Sequence, residues 1–159
     1  MQQERKQAPI VVRHGSSDGA PLGTSGRARL KVLNEPVDGS GYALIEGSHP
    51  VGEPRIRDHV HARHEESFVV LEGRYEVRVG EDIIVAAPGD YVFIPRGTPH
   101  TYRNAGPEPA RLLNIMSPSD GVQLLSDLGS LAGTKVDDTL LAEIHSRHGA
   151  TLVSPLPQW

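Results

Sequence analysis

The sequence predicts an all-β fold, an antiparallel sandwich or barrel that carries a short helical segment at its C-terminal end. From residue 27 to about 117, short apolar runs alternate with turn residues at intervals of about ten, the rhythm of hairpin-linked strands and not of βαβ units. The 17 glycines and 13 prolines fall between those runs instead of gathering in a low-complexity tract. After Ser117-Pro118 the apolar period changes from two to about 3.6, which marks helices.

A chain of 159 residues with 37% apolar content can bury one core. It contains no cysteine, so disulfides, a thiolate zinc site and a cysteine nucleophile are excluded, and any metal must sit on histidine and carboxylate. The net charge of −4 comes from interspersed acids and bases. It provides neither a basic face for nucleic acid nor a polybasic membrane patch, which leaves a small-molecule partner as the expectation. Residues 1–7 are polar and charged, and no apolar run approaches the roughly 20 residues a bilayer requires, so a soluble, cytoplasmic protein is expected.

Residues 1–26 read as an N-terminal arm, rich in glycine and proline around Ile10, Val11 and Val12, with one candidate strand at that triplet. The barrel is expected over 27–117, with strands at 28–33, 42–46, 58–62, 66–71, 74–79, 83–87, 91–94, 100–104 and 110–116. Between them lie turn sequences such as Glu72-Gly73, Pro88-Gly89-Asp90 and Pro95 to Pro99. Residues 118–159 form the helical tail, packed on the barrel. Val122, Leu125 and Leu128 share one face after a cap at Ser119 or Asp120; Leu140, Leu141 and Ile144 share another after Asp137 or Asp138, with Gly149 as the stop.

Chemistry concentrates in the strand-rich centre. His59 and His61 stand at i and i+2 on one strand, so both imidazoles point to the same sheet face. A turn at 62–65 lets the chain return with Glu66, Phe68 and Val70 facing that interior, while parity alone leaves Glu65 as a competing carboxylate. His100 opens a later strand and would complete the set from across the barrel. Three imidazoles and a carboxylate gathered in an apolar interior need a compensating cation. Nitrogen donors with one anionic oxygen suit iron, manganese, nickel, cobalt, copper or zinc, and disfavour magnesium and calcium.

These residues resemble the two motifs of the cupin superfamily. The first, His-x-His, four residues, Glu, six residues, Gly, is matched by His59, His61, Glu66 and Gly73. The second, Gly, five residues, Pro-x-Gly, two residues, His, three residues, Asn, is matched by Gly89, Pro95, Gly97, His100 and Asn104. Motif spacing prefers Glu66 over Glu65. The glycine that commonly opens the first motif is missing, Gly52 lying one residue too early, and the stretch from Gly73 to Gly89 is short for the superfamily. The resemblance covers about residues 27–116 and implies a double-stranded β-helix, or jelly-roll barrel, binding one divalent transition metal through His59, His61, Glu66 and His100. The helical tail ending Arg147-His148-Gly149 resembles small bacterial quercetin-dioxygenase-like cupins. That resemblance implies a dioxygenase acting on an enolic or phenolic substrate such as a flavonol or polyketide, with Glu66 as ligand and general base, its pKa moved toward neutrality. It also implies a homodimer. An isomerase, lyase or cyclase that uses the same ion as a Lewis acid, and a non-catalytic ligand-binding cupin, are the competing expectations.

Around the ligands, alternation puts Arg57 and Tyr102 on the interior face as substrate contacts, with a rim ion pair and core packing as their alternative roles. Phe68, and Phe93 or Tyr91, are expected to line the pocket. His64 reads as a solvated turn residue, and His14, His49, His145 and His148 as surface residues.

Overall fold

The computed structural model describes residues 19–35, 40–53 and 57–153. In chain order the elements are β1 (Ala20–Pro21), β2 (Ala28–Asn34), β3 (Tyr42–His49), β4 (His59–His61), β5 (Glu65–Glu72), β6 (Tyr75–Val79), β7 (Asp82–Ala86), β8 (Tyr91–Ile94), β9 (His100–Asn104) and β10 (Ala110–Ser117). A single 3-10 turn at Ser119–Gly121 then leads into α1 (Val122–Ser130), α2 (Asp138–Arg147) and β11 (Ala150–Leu152).

All strand pairings are antiparallel, in a six-stranded sheet ordered β1-β2-β3-β10-β5-β8 and a five-stranded sheet ordered β11-β4-β9-β6-β7. Consecutive strands repeatedly cross between the sheets, the connectivity of a jelly roll. Alternation sets which side chains meet inside. On β10, Ala110, Leu112, Asn114 and Met116 are buried while Arg111, Leu113 and Ile115 are half-covered on the outer face. Between the sheets, Phe68, Val70, Tyr75, Val77, Val92, Ile94 and Leu112 form the main core. At the other end of the barrel, Leu22, Ala43, Ile45 and Met116 pack against Val122 and Leu125 of α1. Leu124, Ile144 and Ala150 tie α1, α2 and β11 to one another.

The predicted strands from residue 28 to 117 are all present, with ends displaced by a residue or two; β3 runs three residues further than expected, to His49. Within residues 1–26 the described strand is Ala20–Pro21, and Ile10, Val11 and Val12 lie outside the described residues. Asp137 caps α2, its carboxylate accepting from the Leu140 amide at 2.8 Å. Neither Ser119 nor Asp120 caps α1, because the 3-10 turn already occupies those positions. On α1 the buried residue is Leu124, and Leu140 of α2 faces outward. Gly149 ends α2, yet the chain continues directly into β11, which pairs with β4 (Ala150 with His61, Leu152 with His59). Three residues after a helix are too short to declare a strand by periodicity; the exposed edge of β4 makes them one.

A close backbone approach docks α1 on the N-terminal segment. Gly23 adopts φ +72°, and a Cβ there would overlap the backbone of Gly129, whose carbonyl accepts from the Thr24 amide at 3.1 Å. Gly23→Ala is expected to lower unfolding stability by roughly 2 kcal/mol, read as a reduced denaturant midpoint.

Candidate metal centre

β4 is only three residues long, and its side chains alternate buried, half-buried, buried, so His59 and His61 both face the interior with Val60 between them on the opposite face. Its backbone is held on both sides. β11 pairs along one edge, His59 is registered opposite His100 of β9 on the other, and the Gly97 amide donates to the His61 carbonyl at 2.9 Å. Glu66 arrives from β5 in the facing sheet. One ligand atom from each of His59, His61, Glu66 and His100 lies within 4.8 Å of every other, and all four residues are buried.

Hydrogen bonds aim the rings. His59 donates from Nδ1 to the Arg57 carbonyl at 2.7 Å, and His100 donates from Nδ1 to the Thr98 carbonyl at 3.0 Å, leaving each Nε2 for the centre. His100 Nε2 lies 3.1 Å from Glu66 Oε2, His61 Nε2 lies 3.6 Å from Glu66 Oε1, and the Asn114 amide donates to Oε1 at 3.3 Å. Burial pushes the Glu66 carboxyl up, but the hydrogen bond and positive charge of His100 outweigh it and hold it well below the usual carboxylate range. Burial likewise lowers His100, and Glu66 reverses that to raise it. Burial drives His59 well below its ordinary value and His61 down to about 4, which keeps both as neutral donors at pH 7. Both ring nitrogens of His61 are buried without a hydrogen-bond partner. A divalent ion would fit this set: His59, His61, Glu66 and His100 could hold it, and it would give the orphaned His61 imidazole a partner and offset the carboxylate charge.

A cavity of about 280 Å³ opens from these residues between the barrel and α1. Its far wall is apolar, built by Leu22, Ile45, Met116, Leu124, Leu125 and Leu128. Its polar groups include His49, Tyr102, Asn114, His145 and the ion pair of Arg27 with Glu53.

Tyr102 lines the cavity as expected, its phenol raised above the ordinary range by burial and by nearby Glu66. Arg57 does not face inward: it is exposed, and Nη1 pairs with Asp138 Oδ1 at 3.0 Å, because strand alternation begins only at His59. Phe68 belongs to the main core, packed edge-on against Tyr102 with ring centroids 4.9 Å apart, which separates it from the cavity. Phe93 and Tyr91 are exposed on the outer face of β8, since Val92 and Ile94 take its inward positions. Glu65 is turned toward Arg96, 3.5 Å away, and Glu66 is the carboxylate that joins the three histidines.

Three histidines read as solvent-facing belong to the site instead. His64 is buried, stacked on His61 with centroids 4.1 Å apart, its Nδ1 3.2 Å from Asp120 Oδ1 beneath the 3-10 turn. His49 continues the inward face of Ala43, Ile45 and Gly47, and its Nδ1 meets the Tyr75 hydroxyl at 2.7 Å. His145 sits one helical turn after Leu141 on the inner face of α2, with its ring 5.9 Å from that of His59. His148 is largely covered, with Nε2 2.8 Å from Asp127 Oδ2, and His14 lies outside the described residues. The strand and helix periods carried the signals for His49 and His145; nothing local marked His64.

With this geometry in place, the class is a double-stranded β-helix whose interior carries a three-histidine, one-carboxylate group that could bind a metal ion. Residues 48–116 match the cupin domain model. Quercetin 2,3-dioxygenase of Bacillus subtilis (strain 168) is 32% identical over 95 residues, covering 60% of this chain and 27% of that protein. Polyketide synthase CurC of Streptomyces cyaneus is 36% identical over 92 residues, 56% of this chain and 58% of that one. The chain therefore spans only 27% to 58% of these relatives. Among solved structures, a double-stranded beta-helix protein from Klebsiella pneumoniae subsp. pneumoniae aligns with a TM-score of 0.49 at 20% identity, over 71% of this chain and 92% of that one. Among the described residues no helix is long and apolar enough to cross a membrane.

Two outcomes follow from this geometry. Metal-free protein is expected to lose stability as pH falls from about 6.5 toward 4. His49 and His61 are held by burial to about 4, below their unfolded value near 6.5, so the unfolded chain binds protons first through that window. Thermal melts in chelator across pH 4–8 check this, and a flat profile contradicts the assignment. A Cβ on Gly121 would lie 2.7 Å from the His64 ring and from Met116 Sδ. Gly121→Ala is therefore expected to displace His64 from His61 and weaken binding of a divalent ion by about tenfold or more, measured by competition with a chromogenic chelator.

Proposed function

We propose that this chain is a metal-dependent oxygenase whose substrate is a small, largely apolar enol or phenol. The observation that carries this reading is the cavity of about 280 Å³, which ends on the buried three-histidine, one-carboxylate group and whose far wall is leucine, isoleucine and methionine. Four protein ligands leave one or two positions on an ion that accepts five or six. The similarity to a quercetin 2,3-dioxygenase supports the oxygen-dependent variant of this chemistry.

The ion, when bound, supplies Lewis acidity toward a substrate oxygen and, for a redox-active metal, a path for electrons to dioxygen. The chain supplies the rest. The apolar wall accepts the body of the substrate and excludes water. Of the two carboxylates on the cavity surface, Glu53 is engaged by Arg27, which leaves Glu66 to receive the substrate's hydroxyl proton. Its surroundings move its pKa down and not toward neutrality. Such a carboxylate is a weak base, so the hydroxyl it accepts from must be acidic, as in an enol or a phenol beside a cation. Asn114 and His100 each meet one carboxylate oxygen, which orients the Glu66 side chain.

Protein loaded in turn with iron(II), manganese, nickel, cobalt, copper and zinc is expected to consume oxygen in proportion to product when given flavonols or enolisable diketones, followed with an oxygen electrode. Glu66→Gln is expected to lower the rate by about 100-fold or more. Conversion without oxygen uptake would replace this reading with an isomerase or lyase using the same ion. Binding without conversion under every metal would leave a ligand-binding cupin.

A further inference from the structure

We infer that His145 positions the substrate by accepting a hydrogen bond at Nε2 from a second hydroxyl, so that the preferred ligands are polyhydroxylated enols or phenols. The inference rests on the enol or phenol reading above.

His145 comes from α2, outside the segment 48–116 that matches the cupin domain. It is 5% exposed, lines the cavity, and sits beside His59 with ring centroids 5.9 Å apart. Its tautomer is fixed by the backbone. Nδ1 lies 2.7 Å from the Leu141 carbonyl, which can only accept, so Nδ1 carries the proton. The neutral ring therefore presents a lone pair at Nε2, the edge away from the helix backbone. Among the neighbouring polar groups, the Asn114 amide nitrogen is engaged with Glu66, His49 Nδ1 with the Tyr75 hydroxyl and Arg27 with Glu53, while Asn114 Oδ1 is a second buried acceptor on the cavity wall. His145 thus offers an acceptor beside the ligands in a chamber whose opposite wall is aliphatic, and a donor hydroxyl is the group that complements it.

The same arrangement discriminates against an ether at that position. A methoxyl brings no proton to Nε2, and the ring nitrogen loses its solvent without gaining a partner.

The test uses the full metal-loaded chain without oxygen, so that binding is read apart from turnover. Quercetin and its mono-O-methyl ethers at positions other than the 3-hydroxyl are titrated by absorbance against wild type, His145→Leu, His145→Gln and His145→Ala. Metal content and melting temperature are checked for each variant. Wild type is expected to bind one of the ethers about threefold to tenfold more weakly than quercetin, the worth of one hydrogen bond between neutral groups. In His145→Leu that ratio is expected to fall to about one, and in His145→Gln, whose amide oxygen can accept, to be partly restored. His145→Ala gives the same reading should the leucine variant fail to fold. A ratio that persists without the imidazole, or a wild type that distinguishes none of the ethers while still binding flavonol in a metal-dependent way, overturns the role of His145 alone. Absence of metal-dependent flavonol binding by wild type overturns the enol or phenol reading, and this inference with it.

Discussion

A carboxylate buried between imidazoles is the constraint around which the rest is arranged. Glu66 is 4% exposed, and an ionised carboxylate in such surroundings is sustained only by positive charge and hydrogen bonds at close range. His100 and Asn114 supply them from two strands, β9 and β10, that lie in different sheets. The cluster therefore requires both sheets to be closed and in register, and it ties the binding of an ion to the integrity of the barrel.

The strand most exposed to failure is β4, which carries two ligands on three residues. A strand of that length is not stable alone, and its neighbours compensate. The loop before β9 reaches it through Gly97, and the C-terminal strand β11 covers its other edge. The tail consequently has two duties: it fixes the ligand strand, and through α1 and His145 it builds the far side of the cavity. The residues that give this cavity its individual character lie mostly outside the segment matching the cupin domain model, which explains why the family fixes the centre but leaves the substrate open.

Where sequence reasoning succeeded, the relevant physics was local. The barrel strands were legible because period-two alternation and turn chemistry act over a few residues, and the four ligands because their spacing is set by those same strands and turns. Arg57 takes the alternative role that the sequence allows, an exposed ion pair with Asp138, because alternation does not extend past the end of β4. Phe68 was assigned to the right interior but the wrong neighbourhood: one face of a strand can serve both core and cavity. Tyr91 and Phe93 were assigned by residue type although Val92 and Ile94 had an equal claim on the inward positions. Nothing near His64 in sequence announces the 3-10 turn that closes over it and buries it.

The amino-acid order by itself determined the all-β class, the placement of the strands and which three histidines and carboxylate could hold an ion, since each depends on contacts or periods within a few residues. Only the tertiary structure decided that β11 shields β4, that His64 and His145 sit beside the centre while His49 lines the cavity, and that α1 walls an apolar chamber. Those features join residues far apart along the chain, and which surfaces remain available to meet is known only once the barrel has closed.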